Sequence, residues 1–296
     1  MRSRREVLAA LAGAPAVAIA RASYKPSLAV QTYVWTQVLR GQKRTLAEGV
    51  DEVVGSSKRA GYRQIEFVPE FVSPGVKKAT AEALKKHDMK AAIVYVNGAM
   101  WDTENAERAI ANALVVAESA KKVGARIIVA NMLPKPKDER KSDEELRFQS
   151  QSVNRLGEEL KSHGQRLILH HHHAEMAENA REWRELMTNT DPKLVGACID
   201  YDWVVQGGQD PNVILPFTGN RIESFHLRNA HQGVWTESLD EGDYDYPATA
   251  AFLRDMGFRG YLVVELAHKS GMKITRPLEE NLRRSRIYVE KVFGVR

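Results

Sequence analysis

Short apolar runs alternate with amphipathic stretches along most of the chain, and this alternation limits the fold more than any other feature of the sequence. Parallel strands that are joined by crossover helices produce such a pattern. Eight strand–helix units in about 270 residues match the size and order of a (β/α)8 TIM barrel. We therefore predict a single α/β barrel domain over residues 23–296. The eight runs begin at Leu28, Tyr62, Lys90, Ala125, Arg166, Val195, Ile222 and Tyr261.

An open, doubly wound sheet is the alternative architecture. Such a sheet normally has a glycine-rich turn after its first strand, where the backbone holds phosphate groups. The corresponding position here reads Trp35-Thr36-Gln37-Val38, so the dinucleotide fingerprint is absent. The barrel is therefore the preferred interpretation. The polar and aromatic stretch from Asn229 to Tyr246 is then expected to form a loop on its catalytic face.

The first 20 residues have the composition of a cleavable export signal. They combine a basic start, a short apolar segment and the small-residue end Ala18-Ile19-Ala20, and the segment is too short for a good membrane span. Arg4-Arg5 resembles the twin-arginine motif of proteins that are exported already folded. We predict that residues 1–22 are a signal peptide. The mature protein would then be periplasmic or secreted, without a membrane anchor.

The charge of the chain argues against one class of partner, and its cysteine content excludes an intrachain disulfide bond. The formal charge of +5 falls to +3 without residues 1–20, and no Lys/Arg cluster with interleaved aromatic residues is present. Nucleic acid is therefore not an expected partner. Cys198 is the only cysteine, so an intrachain disulfide cannot form and the core must provide the stability. Whether the chain forms a homo-oligomer stays open.

Four consecutive histidines, His170 to His173, close the fifth apolar run. Side chains alternate between the two faces of a strand, so His170 and His172 are expected to share one face. The next three runs end near Asp200, His226 and Glu265. TIM barrels place their functional side chains at these carboxyl ends of strands. The sequence therefore predicts one metal site formed by Asp200, His226 and Glu265 together with His170 or His172 from the fifth strand.

The types of ligand atom narrow the choice of metal ion. Asp200 and His226 also have alternative explanations as structural residues. Nitrogen and carboxylate ligands suit manganese, zinc, cobalt or iron better than calcium. Asp200 could instead cap the following helix, and His226 could be a buried histidine with a backbone partner. Glu265 is different, because its neighbours are apolar and a buried carboxylate is costly without a cation. The occurrence of all four at consecutive strand ends favours the metal site.

Further candidates lie near other strand ends. Glu66 is predicted to bind a sugar hydroxyl, and Arg228 and His231 are predicted to bind hydroxyl groups or an anionic group of the substrate. Trp35 is predicted to stack on a sugar ring. Each of them could equally be a surface or packing residue.

Six segments resemble the xylose isomerase-like barrel superfamily of sugar isomerases and epimerases, which also includes inosose dehydratase and the endonuclease IV type. The segments are VQTYVW, GYRQIEF, LHHHHAEM, GACIDYDW with the following GGQDP, RIESFHLRN and LDEGDYDYPATAAFLRDMGFRGYLVVEL. The resemblance implies one divalent metal ion, with manganese the first expectation. In the epimerase branch the ligands are Glu, Asp, His and Glu. This chain departs from that set at the first ligand, where it has His170.

The resemblance also implies the chemistry. In members with two glutamates, both carboxylates bind the metal and exchange a proton beside a carbonyl through a metal-stabilised enediolate. We therefore predict a sugar isomerase or epimerase that acts on a small sugar or keto-sugar, with His172, Glu265 and His170 as the candidate catalytic residues. The histidine run resembles the version found in inosose dehydratase, so a keto-sugar dehydratase or lyase is the alternative.

Two further alternatives belong to other classes. One is a non-catalytic carbohydrate-binding barrel. The other is a nuclease of the endonuclease IV type, which is disfavoured because it needs more ligands for three metal ions and a basic face for DNA.

Overall fold

Eight parallel strands close into a barrel in which each strand pairs with its neighbours in the sequence. The computed structural model describes residues 23–269 and 272–295, so the predicted signal peptide lies outside the described residues. The prediction of a single-domain TIM barrel is confirmed. The barrel strands are β1 (Ser27–Gln31), β2 (Gln64–Phe67), β3 (Lys90–Gly98), β4 (Ile127–Met132), β5 (Arg166–His170), β6 (Val195–Asp200), β7 (Ile222–Leu227) and β10 (Tyr261–Val264).

Helices cover the outside of the barrel. They are α1 (Tyr33–Gly41), α2 (Leu46–Arg59), α3 (Lys77–Lys86), α4 (Thr103–Lys122), α5 (Asp143–Ser162), α6 (His173–Asn189), α7 (Tyr201–Gln206), α8 (Pro211–Thr218), α9 (Tyr246–Asp255) and α10 (Leu278–Phe293). Within the described residues, none of these helices combines the length and the apolar character that a membrane crossing requires.

Local sequence signals set several helix ends. Thr45 and Glu48 form a reciprocal capping box at the start of α2, and Ser142 and Glu145 form another at the start of α5. Gly124, with a φ of 94°, follows the end of α4 in a backbone conformation that residues with a side chain rarely adopt. These signals keep the connections short and fix where each strand begins.

The barrel interior is a packed core. A cluster of buried side chains from the strands fills it, and a second, larger cluster joins the outside of the barrel to the helices. The inner cluster consists of Ala29, Ala92, Ile93, Tyr95, Val129, Ile168, Cys198 and Val263.

The first predicted strand run is too long. β1 ends at Gln31 and α1 begins at Tyr33, so Trp35 belongs to a helix and not to a strand end. The predicted loop between Asn229 and Tyr246 contains a small hairpin of β8 (Ala230–His231) and β9 (Val234–Trp235). Trp235 Nε1 donates a hydrogen bond to Asp202 Oδ2 at 3.0 Å, which ties this hairpin to α7 beside the mouth of the barrel.

Candidate active site

The four predicted metal ligands lie together at the carboxyl ends of β5, β6, β7 and β10. One nitrogen or oxygen atom from each of His170, Asp200, His226 and Glu265 lies within 4.8 Å of the corresponding atom of every other member, and all four residues are buried. Asp200 also has the capping role that the sequence left open, since its Oδ1 accepts a hydrogen bond from Trp203 N at 3.1 Å. Its other oxygen remains directed to the cluster.

Three of the four clustered atoms are buried without a hydrogen-bond partner: His170 Nε2, His226 Nδ1 and Glu265 Oε2. His226 Nδ1 and Glu265 Oε2 are only 2.7 Å apart, a distance at which a protonated ring would form an ion pair with the carboxylate and a neutral ring would leave both atoms for a cation. His170 Nε2 lies 3.7 Å from Asp200 Oδ2. Buried polar atoms without partners are costly, and a divalent cation would satisfy all of them at once. The donor set therefore fits a metal ion.

The second nitrogen of each clustered histidine is held by a neighbouring side chain. His226 Nε2 lies 3.0 Å from Glu66 Oε1, and His170 Nδ1 lies 3.1 Å from the hydroxyl of Tyr95. Metal-binding histidines commonly have such an outer partner, which orients the ring and leaves the other nitrogen for the metal. Glu66 is fully buried and does not line the cavity, so its position favours this role over the predicted contact with a sugar hydroxyl.

Burial determines the charge of the histidines from strand five. It lowers the pKa of His170 well below the ordinary value, and it lowers the pKa of His172 to about 4. Both rings are therefore neutral at physiological pH. A neutral imidazole is the form that binds a metal ion or accepts a proton.

Arg228 lies above the cluster and bridges its two carboxylates. Its guanidinium lies 3.2 Å from Asp200 Oδ2 and 3.0 Å from Glu265 Oε1, and it is placed over the rings of Trp203 and Trp235. This arrangement balances part of the buried negative charge while leaving Glu265 Oε2 free for the cluster. Arg228 also lines the cavity, so the structure brings this predicted substrate-binding residue to the site.

A cavity of about 540 Å³ opens above the cluster. His172 lines this cavity, and its ring lies 4.9 Å from that of His170, as the alternation of side chains along a strand predicts. The side chains around its inner end are polar or aromatic. They are Gln31, Tyr95, Asn97, His170, His172, Trp203, Arg228, Trp235 and Glu265.

His171 lies on the opposite side of strand five. It is fully buried, its Nε2 accepts a hydrogen bond from Asp200 N at 3.2 Å, and its ring packs 4.8 Å from that of Trp183. His173 is the first residue of α6. Neither residue lines the main cavity, as the sequence predicted.

Two predicted substrate contacts lie elsewhere. Trp35 is buried in the core between the barrel and its helices, because α1 turns it away from the mouth. His231 is exposed on the hairpin, where its Nδ1 lies 3.4 Å from Asp243 Oδ2.

Sequence reasoning missed Gln31 and Asn97, which line the cavity. A polar residue at the end of an apolar run was the available signal for both.

Comparison with known proteins identifies the family. Residues 54–291 match the family model described as xylose isomerase-like TIM barrel. The chain belongs to this family. Its relatives include the inosose dehydratase of Clostridium perfringens, which is 27% identical over 169 residues, or 51% of this chain. The inosose dehydratase of Mesomycoplasma hyopneumoniae is 23% identical over 73% of this chain and 80% of its own length. The match to the clostridial protein spans only 56% of that protein.

Solved structures with the same fold include sugar epimerases. An L-ribulose 3-epimerase superposes with a TM-score of 0.76 over 91% of this chain and 95% of its own, at 13% identity. The 3-keto-D-glucoside 4-epimerase of E. coli superposes with a TM-score of 0.70 over 90% of this chain and all of its own, at 16% identity. At these identities the similarity establishes the fold alone.

Proposed function

We propose that this protein is a metal-dependent enzyme that removes a proton from the carbon next to the carbonyl of a sugar or keto-sugar. The observation that carries the proposal is the convergence of His170 Nε2, His226 Nδ1 and Glu265 Oε2, all without hydrogen-bond partners, close to Asp200 and beside a cavity that His170 and Glu265 line. Manganese is the first candidate, and zinc, cobalt and iron are the alternatives.

The cluster residues would hold the ion and leave the mouth of the cavity open to the substrate. A bound divalent ion would polarise the carbonyl and stabilise negative charge on its oxygen. Arg228 would orient the substrate oxygens from above, since its guanidinium is fixed by two carboxylates and two aromatic rings. The tryptophans would provide an apolar wall for the sugar ring.

His172 and Glu265 are the residues that we assign to proton movement. His172 lines the cavity as a neutral imidazole, the form that accepts a proton. Glu265 also faces the cavity and carries a carboxylate oxygen without a hydrogen-bond partner. His170 is less suited to this role than predicted, because its Nδ1 contacts Tyr95 and its Nε2 faces the ligand cluster.

Two outcomes can follow the first proton removal. Return of the proton to the same or a neighbouring carbon gives epimerisation or isomerisation, and the presence of both His172 and Glu265 in one cavity favours it. Loss of a hydroxyl or other leaving group gives dehydration or elimination. The inosose dehydratase relatives and the histidine at the first ligand position favour this second outcome.

The test is incubation of the manganese-loaded protein with free sugars and 3-keto-glycosides in deuterated water. Deuterium on a carbon of an intact sugar would identify an isomerase or epimerase. Release of water or of the aglycone would identify a lyase. Absence of exchange throughout the panel would contradict the proposed enzyme and favour a carbohydrate-binding barrel.

We also propose that the protein is exported, on the basis of the sequence pattern in residues 1–20. Replacing Arg4 and Arg5 by Lys should leave the precursor in the cytoplasm, as detected by fractionation and immunoblotting. Normal processing of that double variant would contradict a twin-arginine route.

A further inference from the structure

Part of the main cavity is lined by residues that follow β1 and β2 in the chain. We call this part the outer chamber. It is formed by α1, by the start of α2 with the preceding loop, and by the turn after β2. Its lining residues are Tyr33, Thr36, Leu39, Arg40, Arg44, Thr45, Leu46, Val68, Pro69 and Glu70.

Four of the ten residues around the outer chamber have aliphatic side chains. Leu39, Leu46, Val68 and Pro69 contribute only carbon atoms from their side chains. The threonine hydroxyls are already used within their own helices: Thr36 Oγ1 donates to the Tyr33 carbonyl at 2.7 Å, and the hydroxyl of Thr45 belongs to the capping box of α2. A sugar hydroxyl placed against these four aliphatic side chains would lose its hydrogen bonds to water without replacement.

The charged residues of the outer chamber differ in how they are paired. Arg44 is held by Glu52 and by the Glu48 carbonyl. Arg40 and Glu70 are exposed at the rim, and neither side chain has a hydrogen bond or ion pair within the described part of the chain. An unpaired guanidinium at the edge of an apolar surface can lie over the face of an aromatic ring.

The inner end of the cavity has the opposite character. Asn97 and His172 line it with polar side chains of the kind that recognise sugar hydroxyls. Gln31 and Arg228 also line it, and their side chains already contact Glu66 and the two cluster carboxylates, respectively. The whole cavity, at about 540 Å³, falls within the roughly 300–1,000 Å³ of pockets that enclose drug-sized ligands, so one sugar ring would leave the outer chamber unfilled. The two ends therefore suit two different parts of one ligand.

We propose that the outer chamber binds an apolar, aromatic substituent on the substrate sugar, so that the substrate class is an aryl glycoside and not a free monosaccharide. This inference rests on the proposed function only in placing the sugar ring at the inner end. The ring of the substituent packs on Leu39, Leu46 and Pro69, with Arg40 over its exposed face.

The experiment compares the binding of methyl and phenyl glycosides by isothermal titration calorimetry. The full chain loaded with manganese is titrated with the methyl and phenyl β-D-glycosides of glucose, galactose and xylose. These probes have no carbonyl group, so their binding is read without turnover. We expect the phenyl glycoside of the preferred sugar to bind about tenfold more tightly than the methyl glycoside, because the ring buries apolar area.

Two variants test whether the phenyl ring of the glycoside binds in the outer chamber. Leu46→Glu should remove the preference for phenyl while leaving affinity for the methyl glycoside unchanged, and glutamate suits this first position of α2. Arg40→Gln, an exposed change that does not threaten folding, should reduce the preference. Leu133→Glu is the matched control, since Leu133 is 40% exposed after β4 and does not line the cavity.

The outcomes separate this inference from the proposed function. A phenyl preference that Leu46→Glu removes supports the outer chamber even if the deuterium exchange assay fails. Equal binding of the two glycosides, or no binding of either, overturns the inference even if exchange is observed. A preference that survives in both Leu46→Glu and Arg40→Gln also overturns it, because the ring would then lie elsewhere.

Discussion

Histidines lie on both sides of the end of strand five, and the two sides differ in what surrounds the histidine rings. On the cavity side, His170 and His172 present ring nitrogens to the ligand cluster and to the substrate space. On the side behind the strand, His171 accepts a hydrogen bond from Asp200 N and packs against Trp183. Neighbouring histidines thus differ because the environment, and not the residue type, determines the role. On the cavity side, unpartnered atoms of several residues lie close together, whereas behind the strand His171 uses Nε2 to accept from Asp200 N and only its own Nδ1 is left without a partner.

The largest effect is expected on the cavity side, at the carboxylates. Asp200→Ala and Glu265→Ala should each reduce metal content from about one ion per chain to near background, because each removes a charged ligand. Elemental analysis after dialysis measures this. Asp243→Ala, which changes an acidic residue beside His231 and away from the cluster, is the control and should keep the metal. A metal content of about one ion per chain in both Asp200→Ala and Glu265→Ala would contradict the assignment of the metal site to the cavity side of the strand.

His172→Ala should separate proton movement from metal binding. The metal content should stay near one ion per chain, while the rate falls by roughly 10²–10⁴-fold, the usual contribution of a general acid or base. The deuterium exchange rate on the substrate measures the loss. A variant that loses its metal would show instead that His172, and not His170, is the ligand from strand five.

His171→Ala should act on stability and not on the site. The change leaves a cavity beside Trp183 and an unpaired N–H at Asp200, and we expect a loss of about 3 kcal/mol in the free energy of unfolding. Urea unfolding measures it, and metal content should remain at the level of the unmodified protein. If His171→Ala lost the metal but kept the stability of the unmodified protein, the assignment of the cavity side and the other side of strand five would be reversed.

Tyr95→Phe should produce the smallest effect. It removes the hydroxyl that lies 3.1 Å from His170 Nδ1, so the ring is oriented less firmly, and metal affinity should fall by about tenfold. Competition with a chelator of known affinity measures the change. Tyr62→Phe is the matched control, because that hydroxyl donates to the Leu282 carbonyl in the outer core. Equal effects of the two variants would argue against an outer-partner role for Tyr95.

The sequence was sufficient to predict the barrel and the proximity of the four candidate ligands. Strand ends are readable where an apolar run meets a polar residue, and parallel strands bring their carboxyl ends to one edge, so Asp200, His226 and Glu265 could be placed together. The alternation within a strand assigned His170 and His172 to one face. These inferences depend only on short-range geometry.

Other features depend on contacts between distant segments. Nothing near Glu66 in the sequence indicates that it pairs with His226, 160 positions later. Trp35 was misplaced because an apolar run that continues from a strand into a helix has no internal boundary in its composition. The outer chamber is formed by three separate segments that only the folded chain brings together.

The most direct test is a crystal structure of the manganese-soaked protein with anomalous diffraction data collected at the manganese absorption edge. We predict one strong anomalous peak at the floor of the cavity, bonded to His170 Nε2, Asp200 Oδ2, His226 Nδ1 and Glu265 Oε2. A peak coordinated by other residues, or none at this position despite full manganese content by elemental analysis, would contradict the assignment of the metal site.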